Sequence, residues 1–418
     1  MLQTAPYDPN FDRDTIVYLD YAATAPLLPV ARTAMLEIID AISYTHDGAD
    51  EGIYGNASSL HLPGNHAHDH IEQARWHVAE LINAKVNEIV FTSGGSEANN
   101  TVANIFAGQR VATSAIEHPS VLKSLQARAT HCELIPVDSY GFVNPADVPT
   151  DVDLVSVMLA NNELGSIEPI SEIAQRLRNA SQDHASADNP KPRTPYFHTD
   201  ATQALGKIPI DVKALGVDYM TISAHKIGGP IGVGALYVRD GAPFRPLILG
   251  GHQENRRRAG TSNTLAIVGF GAAAKWYRDD RNLAAYQDIR RLRDRLAQRI
   301  LKEVPYSSLN SPLENSLPHI LNVSFQAAEG ESIQLYLDAR GISVSTGSAC
   351  AAGDLQPSPV LMATKHDAEI AHNSIRFSLG PNTTANDIDR VMKILPGIIQ
   401  RLQGISTVKI KETPNGSK

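Results

Sequence analysis

The sequence predicts an α/β fold, with a large, mainly parallel, doubly wound sheet and a second, smaller α+β domain. Short apolar runs alternate with amphipathic helical patterns over roughly the first 270 residues, a spacing typical of βαβ units. Several runs are apolar on successive residues, as strands covered on both faces tend to be. After about residue 275 a long charged helical stretch replaces this alternation.

The first part contains five segments that we expect to be strands. They are residues 88–93 (EIVFTS), 152–159 (VDLVSVML), 195–201 (PYFHTDA), 219–224 (YMTISA) and 234–238 (GALYV). Helices are predicted at residues 66–82 and 170–180 from their apolar periodicity. Residues 178–195, rich in Ser, Asp and Pro, are interpreted as an inserted surface loop or local disorder.

The second part has the pattern of a smaller α+β unit. A charged helical stretch at residues 286–304 precedes three strand-like segments, residues 320–326, 342–347 and 374–380, and a closing helix at 387–402. A chain of 418 residues exceeds the size at which a single core keeps growing. We therefore predict a large domain over residues 20–274 and a small one formed by residues 1–19 and 275–418.

Composition excludes several classes of protein. A net charge of −8 and a pI near 6.0 argue against nucleic acid or an anionic membrane as the main partner, so neither is expected. Two cysteines cannot form a disulfide framework, and the first residues lack the pattern of a signal peptide. Both observations predict a cytoplasmic protein with free thiols.

A candidate phosphate site occurs in FTSGGSEANN, residues 91–100. Here a strand runs through Ser-Gly-Gly-Ser into a helix, and free N–H groups at a helix N-terminus bind anions. The same residues would also make an ordinary capped turn between a strand and a helix. The segment lacks the Gly-Lys-Ser/Thr ending of a Walker loop.

Two further segments place charged groups at strand ends. Lys226 follows a strand in ISAHKIGGP, where an amine among small residues can bond to a carbonyl cofactor. Asp200 and Gln203 follow another strand in FHTDATQALGK, at the edge where ligands bind in open α/β sheets. Pyridoxal phosphate needs a carboxylate at its ring nitrogen, which Asp200 would supply. Taken singly, a solvated lysine and an ion pair are the ordinary alternatives.

Cys350 stands in an unusual setting for a structural thiol. It lies in VSTGSACAAGD, residues 344–354, among small side chains that would let a loop move and carry a nucleophile. An inert buried thiol is the alternative reading, and for Cys132, in ATHCELIPV, it is the favoured one.

The chain resembles the cysteine desulfurases, which are fold-type I pyridoxal-phosphate enzymes. Ten segments carry the resemblance over nearly the whole chain: YLDYAATAP (18–26), GNASSLH (55–61), FTSGGSEANN (91–100), IEHPSVL (116–122), ANNELGSIEPI (160–170), HTDATQALGKIPID (198–211), ISAHKIGGPIGVGALYV (222–238), RRRAGTSN (256–263), STGSAC (345–350) and SIRFSLG (374–380). The cysteine motif resembles the SGSAC-type group, which includes housekeeping iron–sulfur and tRNA-thiolation desulfurases. The Arg-x-Gly-His-x-Cys motif of the other main group is absent.

The resemblance implies roles for single residues. Lys226 is the cofactor-binding lysine, Cys350 the nucleophile that takes up sulfur as a persulfide, and His118 the imidazole that stacks on the ring and assists proton transfer. Arg376 corresponds to the arginine that grips the substrate carboxylate, a task suited to its planar guanidinium. The implied cofactor-binding set is Gly95, Ser96, His118, Asn162, Asp200, Gln203, Ser223, His225, Lys226 and Thr261.

Within that set, Asn162 lies near both cofactor and substrate. Thr261 corresponds to a phosphate ligand contributed by the neighbouring subunit, which implies a homodimer with shared sites. The implied cofactor is pyridoxal 5'-phosphate, and no resident metal is implied. Cys350 is also a candidate transient ligand of an iron–sulfur cluster.

The implied reaction converts L-cysteine to L-alanine and passes the sulfur to an acceptor protein, an iron–sulfur scaffold or a tRNA-thiolating enzyme. Three alternatives stay open at this point: a selenocysteine lyase, a class V aminotransferase on the same scaffold, and a non-catalytic sulfur carrier. The chain also departs from the family pattern. Asn255 and Arg256 stand where the family usually has Arg-Gly, and residues 178–195 look inserted.

Overall fold

The computed structural model of the chain describes residues 16–42, 55–183, 194–346, 357–364, 368–408 and 410. Cys350 and most of its small-residue segment lie outside these ranges, as does most of the polar segment 178–195.

A seven-stranded sheet forms the centre of the larger part of the molecule. Its strands are β2 (Ile89–Thr92), β3 (Arg110–Ser114), β4 (His131–Ile135), β5 (Leu154–Ser156), β6 (Tyr196–Asp200), β7 (Tyr219–Ser223) and β8 (Gly234–Val238). They lie in the order β2-β8-β7-β6-β5-β3-β4, and β8 alone runs in the direction opposite to the other six strands. The predicted large, mainly parallel sheet is confirmed.

Helices cover both faces of this sheet, as a doubly wound fold requires. They are α1 (Pro29–Ile42), α2 (Leu62–Leu81), α3 (Gly95–Ile105), α4 (Pro119–Arg128), α5 (Ile170–Asp183), α6 (Val212–Leu215) and α7 (Thr264–Tyr277). Side chains of α3 and α4 form one apolar cluster, and those of α2, α5 and α7 belong to another. Successive residues of β2 point into different clusters, with Val90 in the first and Phe91 in the second. This alternation explains why the run is apolar at every position.

The second part is built on an antiparallel sheet of four strands, β9 (Ser307–Leu309), β10 (Ile320–Phe325), β12 (Ser345–Thr346) and β13 (Ser374–Ser378). They lie in the order β12-β13-β10-β9. The helices of this part are α8 (Asp280–Glu303), α9 (Gly330–Asp338), α10 (Pro359–Ala363), α11 (Ala368–His372) and α12 (Ala385–Ile405). Near the N-terminus, β1 (Val17–Tyr18) pairs in parallel with β11 (Ile342–Ser343). The proposed domain boundary at residues 274/275 stays a prediction, because one apolar cluster runs through both parts.

Two local predictions differ from the structure. β3 and β4 are strands that the sequence pattern did not single out; β4 is an edge strand with mostly exposed residues, so it lacks a buried apolar run. Helix α5 continues to Asp183, so residues 178–183 are helical and not loop. Ile173 and Leu177 are buried and anchor one face of α5. Because extending an existing helix is easier than starting one, the polar residues that follow continue it for one more turn.

A strained turn precedes the segment that carries Thr261. Three successive residues, Glu254, Asn255 and Arg256, have φ of 49°, 55° and 65°, the left-handed region that disfavours side chains. The Glu254 carboxylate fixes the turn: it accepts hydrogen bonds from Arg75 Nη1 at 2.6 Å, from Arg75 Nη2 at 2.8 Å and from the Phe91 amide at 2.9 Å. Surrounding contacts that over-determine a turn allow such strain to persist.

We expect Glu254→Gln to lower the free energy of unfolding by about 3 kcal/mol, because Arg75 would be left as a buried cation without its main counter-charge. Urea titration of wild type and variant measures the difference. Glu80→Gln is the matched control, since it breaks a half-exposed pair with Arg278 and should lose less than about 1 kcal/mol. Equal losses in the two variants would contradict the structural importance of this pair.

Candidate active site

One cavity of about 550 Å³ collects almost all of the site residues predicted from the sequence. It lies at the carboxyl ends of parallel strands, where the loops after β2, β3, β5, β6 and β7 meet at one edge of the sheet. The predicted residues that line it are Gly95, Ser96, His118, Asn162, Asp200, Gln203, Ser223, His225, Lys226 and Arg376.

Two predicted residues are not in that set. Thr261 is exposed and does not line the cavity of its own chain. Cys350 lies outside the described residues, but Ser345 and Thr346 before it, and Pro359 and Val360 after it, do line the cavity. A larger cavity of about 720 Å³ lies at the opposite ends of the strands and is lined by none of the predicted site residues.

Lys226 follows β7 in a short 3₁₀ turn. Its Nζ donates hydrogen bonds to the carbonyl oxygens of Ala22 at 2.6 Å and Ala23 at 2.7 Å. Burial lowers the pKa of Lys226 to about 8, helped by the charge of Arg376 and opposed by Asp20 and Asp200. A neutral amine is therefore accessible near neutral pH, as nucleophilic or basic lysines require.

A second lysine, Lys207, contacts the backbone of the turn that carries Lys226. Lys207 is buried, and its Nζ donates to the carbonyl oxygen of Lys226 at 2.7 Å. Burial lowers its pKa to about 7, with a further contribution from the charge of Lys226. Lys207 lies between the rings of Tyr277 and Tyr286, at 5.6 and 5.3 Å from their centroids. It contacts the backbone of the Lys226 turn and does not line the cavity.

Asp200 ends β6 as a buried, fully oriented carboxylate. Its Oδ2 accepts from Asn99 Nδ2 at 2.8 Å, and its Oδ1 accepts from the amide of Thr202 at 2.9 Å. Gln203, one turn further on, donates from Nε2 to the carbonyl of Ala22 at 2.9 Å. The Asp200 carboxylate is thus held in a fixed orientation in the cavity wall, suited to a cationic ring nitrogen.

The residues after β2 and β7 leave room for an anion. Helix α3 begins after Gly94, whose φ of 152° favours glycine, and its first N–H groups lack partners within the helix. A Cβ at Gly95 would lie only 3.2 Å from Thr202 Oγ1 and 3.8 Å from the Ser223 Cβ, so glycine keeps this space open. Such a helix start suits a phosphate group.

Arg376 projects from β13 between the two parts of the molecule. Its Nη1 donates to the Asn162 carbonyl at 2.9 Å, and its Nη2 donates to Asp20 Oδ1 at 2.9 Å. Its Nε is buried and has no partner among the described residues. A guanidinium with an unused donor next to a cavity is suited to bind a carboxylate.

Unpaired buried atoms support the presence of a ligand here. Among the described residues, several buried polar atoms without a partner belong to side chains of this cavity: Asn99 Oδ1, Glu117 Oε2, Asn162 Oδ1, Thr202 Oγ1 and Arg376 Nε. Buried polar groups are normally paired, so such a cluster is typical of a ligand site. Together with the open helix start, the oriented carboxylate and the low-pKa lysine, the cavity fits pyridoxal phosphate.

Several cavity residues were missed by the sequence interpretation, although they lie within the quoted motifs. They are Asn99, Glu117, Ser120 and Glu163, beside the N-terminal residues Ala22 and Ala23. Burial raises the pKa of Glu117 to about 8 and that of Glu163 to about 7, so the neutral form of Glu117 is favoured near pH 7 and that of Glu163 is accessible there. Glu163 accepts a hydrogen bond from Ser358 Oγ at 2.6 Å.

Within the described part of the chain, no cluster of three His, Cys, Asp or Glu side chains is placed to hold a metal ion. No helix there combines the length and apolar character needed to cross a membrane.

Comparison of the whole chain with known proteins identifies its family. The aminotransferase class-V family matches residues 17–391. A cysteine desulfurase IscS of Dictyoglomus turgidum is 42% identical over 408 residues, covering 94% of this chain and 97% of that protein. Cysteine desulfurase IscS 1 of Archaeoglobus fulgidus is also 42% identical, covering 93% and 98%. The chain belongs to the cysteine desulfurases of the class-V aminotransferase family.

Solved structures agree with this assignment. A NifS-like protein superposes with a TM-score of 0.80 at 33% identity, covering 93% of this chain and all of that one. A NifS-like protein from Rickettsia africae gives a TM-score of 0.79 at 30% identity, covering 92% and 99%. The fold-type I prediction is confirmed, and pyridoxal phosphate is the cofactor of this family.

The lowered pKa of Lys226 predicts its reactivity in the cofactor-free protein. We expect its amine to be acylated by a trace amine-reactive reagent with a midpoint near pH 8, because reaction needs the neutral form. An ordinary lysine titrates above pH 10. Peptide mapping across pH 6–11 measures the profile, and Lys226→Ala identifies the labelled peptide. A midpoint near the ordinary value would contradict the effect of burial and Arg376.

Proposed function

We propose that this chain is a cysteine desulfurase that takes sulfur from L-cysteine, releases L-alanine and holds the sulfur as a persulfide on Cys350. The observation that carries the proposal is the meeting of Lys226, Asp200, His118 and Arg376 in one cavity of a desulfurase-family fold. A homologous protein, SspA, 30% identical over 88% of this chain, has been solved in complex with cysteine.

Each cofactor contact is assigned to a residue of the cavity. Gly95, Ser96, Ser223 and His225 would hold the phosphate, and Thr261 of the neighbouring subunit would join them. Asp200 would pair with the ring nitrogen, Gln203 and Asn162 with the ring oxygen, and His118 would stack on the ring. When bound, pyridoxal phosphate supplies an electron sink that stabilises negative charge after the Cα proton is lost.

The remaining steps belong to residues of the chain. Arg376 would bind the substrate carboxylate through its unused Nε, and so set the orientation of the Cα–H bond. Lys226 would take the Cα proton on Nζ, for which a pKa near 8 makes it a suitable base. Its two carbonyl partners, Ala22 and Ala23, would orient the amine once it is released from the cofactor.

Cys350 completes the reaction. Its thiolate would attack the substrate sulfur, so that an S–S bond forms as the carbon–sulfur bond breaks. Cysteine and the enzyme thiol together contain the atoms of alanine and the persulfide, so the step needs neither oxidant nor reductant. The persulfide would then pass to an acceptor protein serving iron–sulfur cluster assembly or tRNA thiolation, in the reducing cytoplasm where thiols stay free.

A homodimer is part of the proposal. Thr261 is exposed on its own chain, and its segment is fixed by Arg258, which donates to both carboxylate oxygens of Glu97 at 3.0 and 3.2 Å. Leu60 and Ile231, within two of the quoted motifs, and Leu249 are 95%, 79% and 82% exposed. We assign these side chains to the proposed interface, because covering them with a partner would remove apolar surface from water.

We expect Cys350→Ser to bind pyridoxal phosphate and L-cysteine, with the corresponding change in visible absorbance, yet to form almost no alanine. Serine cannot hold a persulfide, and losing a covalent nucleophile costs about 4–8 kcal/mol in the barrier, or several decades in rate. Alanine formation and mass mapping of the persulfide are the measurements. Cys132→Ser is the control and should keep most activity. Wild-type turnover in Cys350→Ser, or a persulfide on Cys132, would refute the assignment.

We expect Leu249→Asp to weaken the dimer and lower the cofactor content, because a charge would replace an apolar side chain at the proposed interface. Light scattering over a concentration series measures the dimer, and absorbance measures bound cofactor. Ile405→Asp is the matched control, since Ile405 is 72% exposed and lies at the C-terminal end of α12, a 21-residue helix that separates it from the motif carrying Arg376. A fully active monomer of the wild type would refute shared sites.

A further inference from the structure

His118 is connected to Asp200 through two side chains that the desulfurase assignment does not use. Asn99 is buried, and its Nδ2 donates both to Asp200 Oδ2 at 2.8 Å and to Ser120 Oγ at 2.9 Å. Ser120 Oγ lies 2.7 Å from His118 Nδ1, and the Ser120 amide donates to the same nitrogen at 3.1 Å. The chain of contacts is therefore continuous from Asp200 to the imidazole.

The direction of every hydrogen bond in this series, from Asp200 through Asn99 and Ser120 to His118, is determined. A carboxylate only accepts, so the amide nitrogen of Asn99 must face Asp200, and its second hydrogen is directed to Ser120 Oγ. Ser120 Oγ accepts from Asn99, and a hydroxyl oxygen with two lone pairs could still either donate to His118 Nδ1 or accept from it. The backbone amide of Ser120 can only donate, so Nδ1 must accept and carries a lone pair and no proton. Ser120 Oγ, 2.7 Å from that nitrogen, is then the donor in its own contact with Nδ1.

We propose that Asn99 and Ser120 are positioning residues that fix His118 as the neutral tautomer with its proton on Nε2, so that His118 serves the bound ligand as a hydrogen-bond donor and not as a base. A proton can be added to the neutral ring only at Nδ1, where it would displace two hydrogen bonds. Burial lowers the pKa of His118, and the charge of Lys226 acts in the same direction, while Asp200 opposes both. Proton removal at Cα then falls to Lys226 alone.

The assignment of the tautomer stands on the contacts themselves. What His118 donates to, the cofactor or the substrate, rests on the proposed function. Helix α4 reinforces the arrangement, because His118 is its N-cap and the bond from the Ser120 amide to Nδ1 is the capping bond. The ring cannot turn over to present Nδ1 to the cavity without losing this cap.

Long-range ¹H–¹⁵N correlation spectra of the holoenzyme with ¹⁵N-labelled histidine test the proposal. The signal is assigned by its loss in His118→Gln. In wild type we expect Nδ1 to be unprotonated and Nε2 protonated throughout pH 6–9. Ser120→Ala removes the hydroxyl donor and keeps the backbone amide, so the neutral ring should stay unprotonated at Nδ1 while the pKa of His118 rises, with alanine formation reduced about fivefold, as for the loss of one ordinary hydrogen bond. Ser120→Thr keeps the hydroxyl and should restore the wild-type spectrum.

A double-mutant comparison tests Asn99 separately. Asn99→Leu should change the spectrum of His118 in the same direction as Ser120→Ala, and its effect should be smaller in the Ser120→Ala background than in the wild type, because part of it passes through Ser120. Additive changes, or a protonated Nδ1 in the wild type, would overturn the proposal. If wild type forms no alanine from cysteine but shows the expected tautomer, the proposed function fails and this inference stands.

Discussion

The site depends on keeping the amine of Lys226 buried next to a second cation, Arg376. Both charges share one cavity with Asp200, whose carboxylate offsets them in part. Burial makes the charged amine unfavourable and brings its pKa to about 8, which a solvated lysine would not reach. Among the described residues, the same burial leaves the Nε of Arg376 without a partner, and an incoming carboxylate can satisfy it. Ligand binding is thus prepared by groups that the folded chain leaves incompletely paired.

The N-terminal segment joins the two parts of the molecule around this cavity. Asp20 accepts from Arg376 of the second part, while the carbonyls of Ala22 and Ala23 accept from Lys226 of the first. Pairing of β1 with β11 and the bridge between Asp20 and Ser378 hold the segment in place. The geometry between Lys226 and Arg376 is therefore set by a short segment near the start of the chain.

Polar contacts around the cavity are directional, and this gives the site its rigidity. Asp200 and Asn99 are buried and Ser120 is partly buried, and their contacts fix the direction of each hydrogen bond between them. A series of this kind fixes side chains more firmly than apolar packing does, because rotation of Asn99 would break its hydrogen bonds to both Asp200 and Ser120. On the far side, the pair of Arg75 and Glu254 fixes the strained turn that leads to Thr261.

The sequence alone predicted the fold class, five of the seven strands of the large sheet and ten of the residues that line the cavity. Lys226, Asp200 and the glycines at the start of α3 could be predicted, because strand ends and turn residues leave local signals in the sequence. Only the tertiary structure decided which atoms meet. Asn99 and Ser120 are ordinary helix residues in sequence, β4 lacks an apolar run because it lies at a sheet edge, and α5 extends past its apolar face. Contacts such as Arg376 with Asp20 join residues 356 positions apart, and no local pattern encodes a pairing that distant. Burial and direction of hydrogen bonds, which set the chemistry of the site, arise only when the sheets and helices pack together.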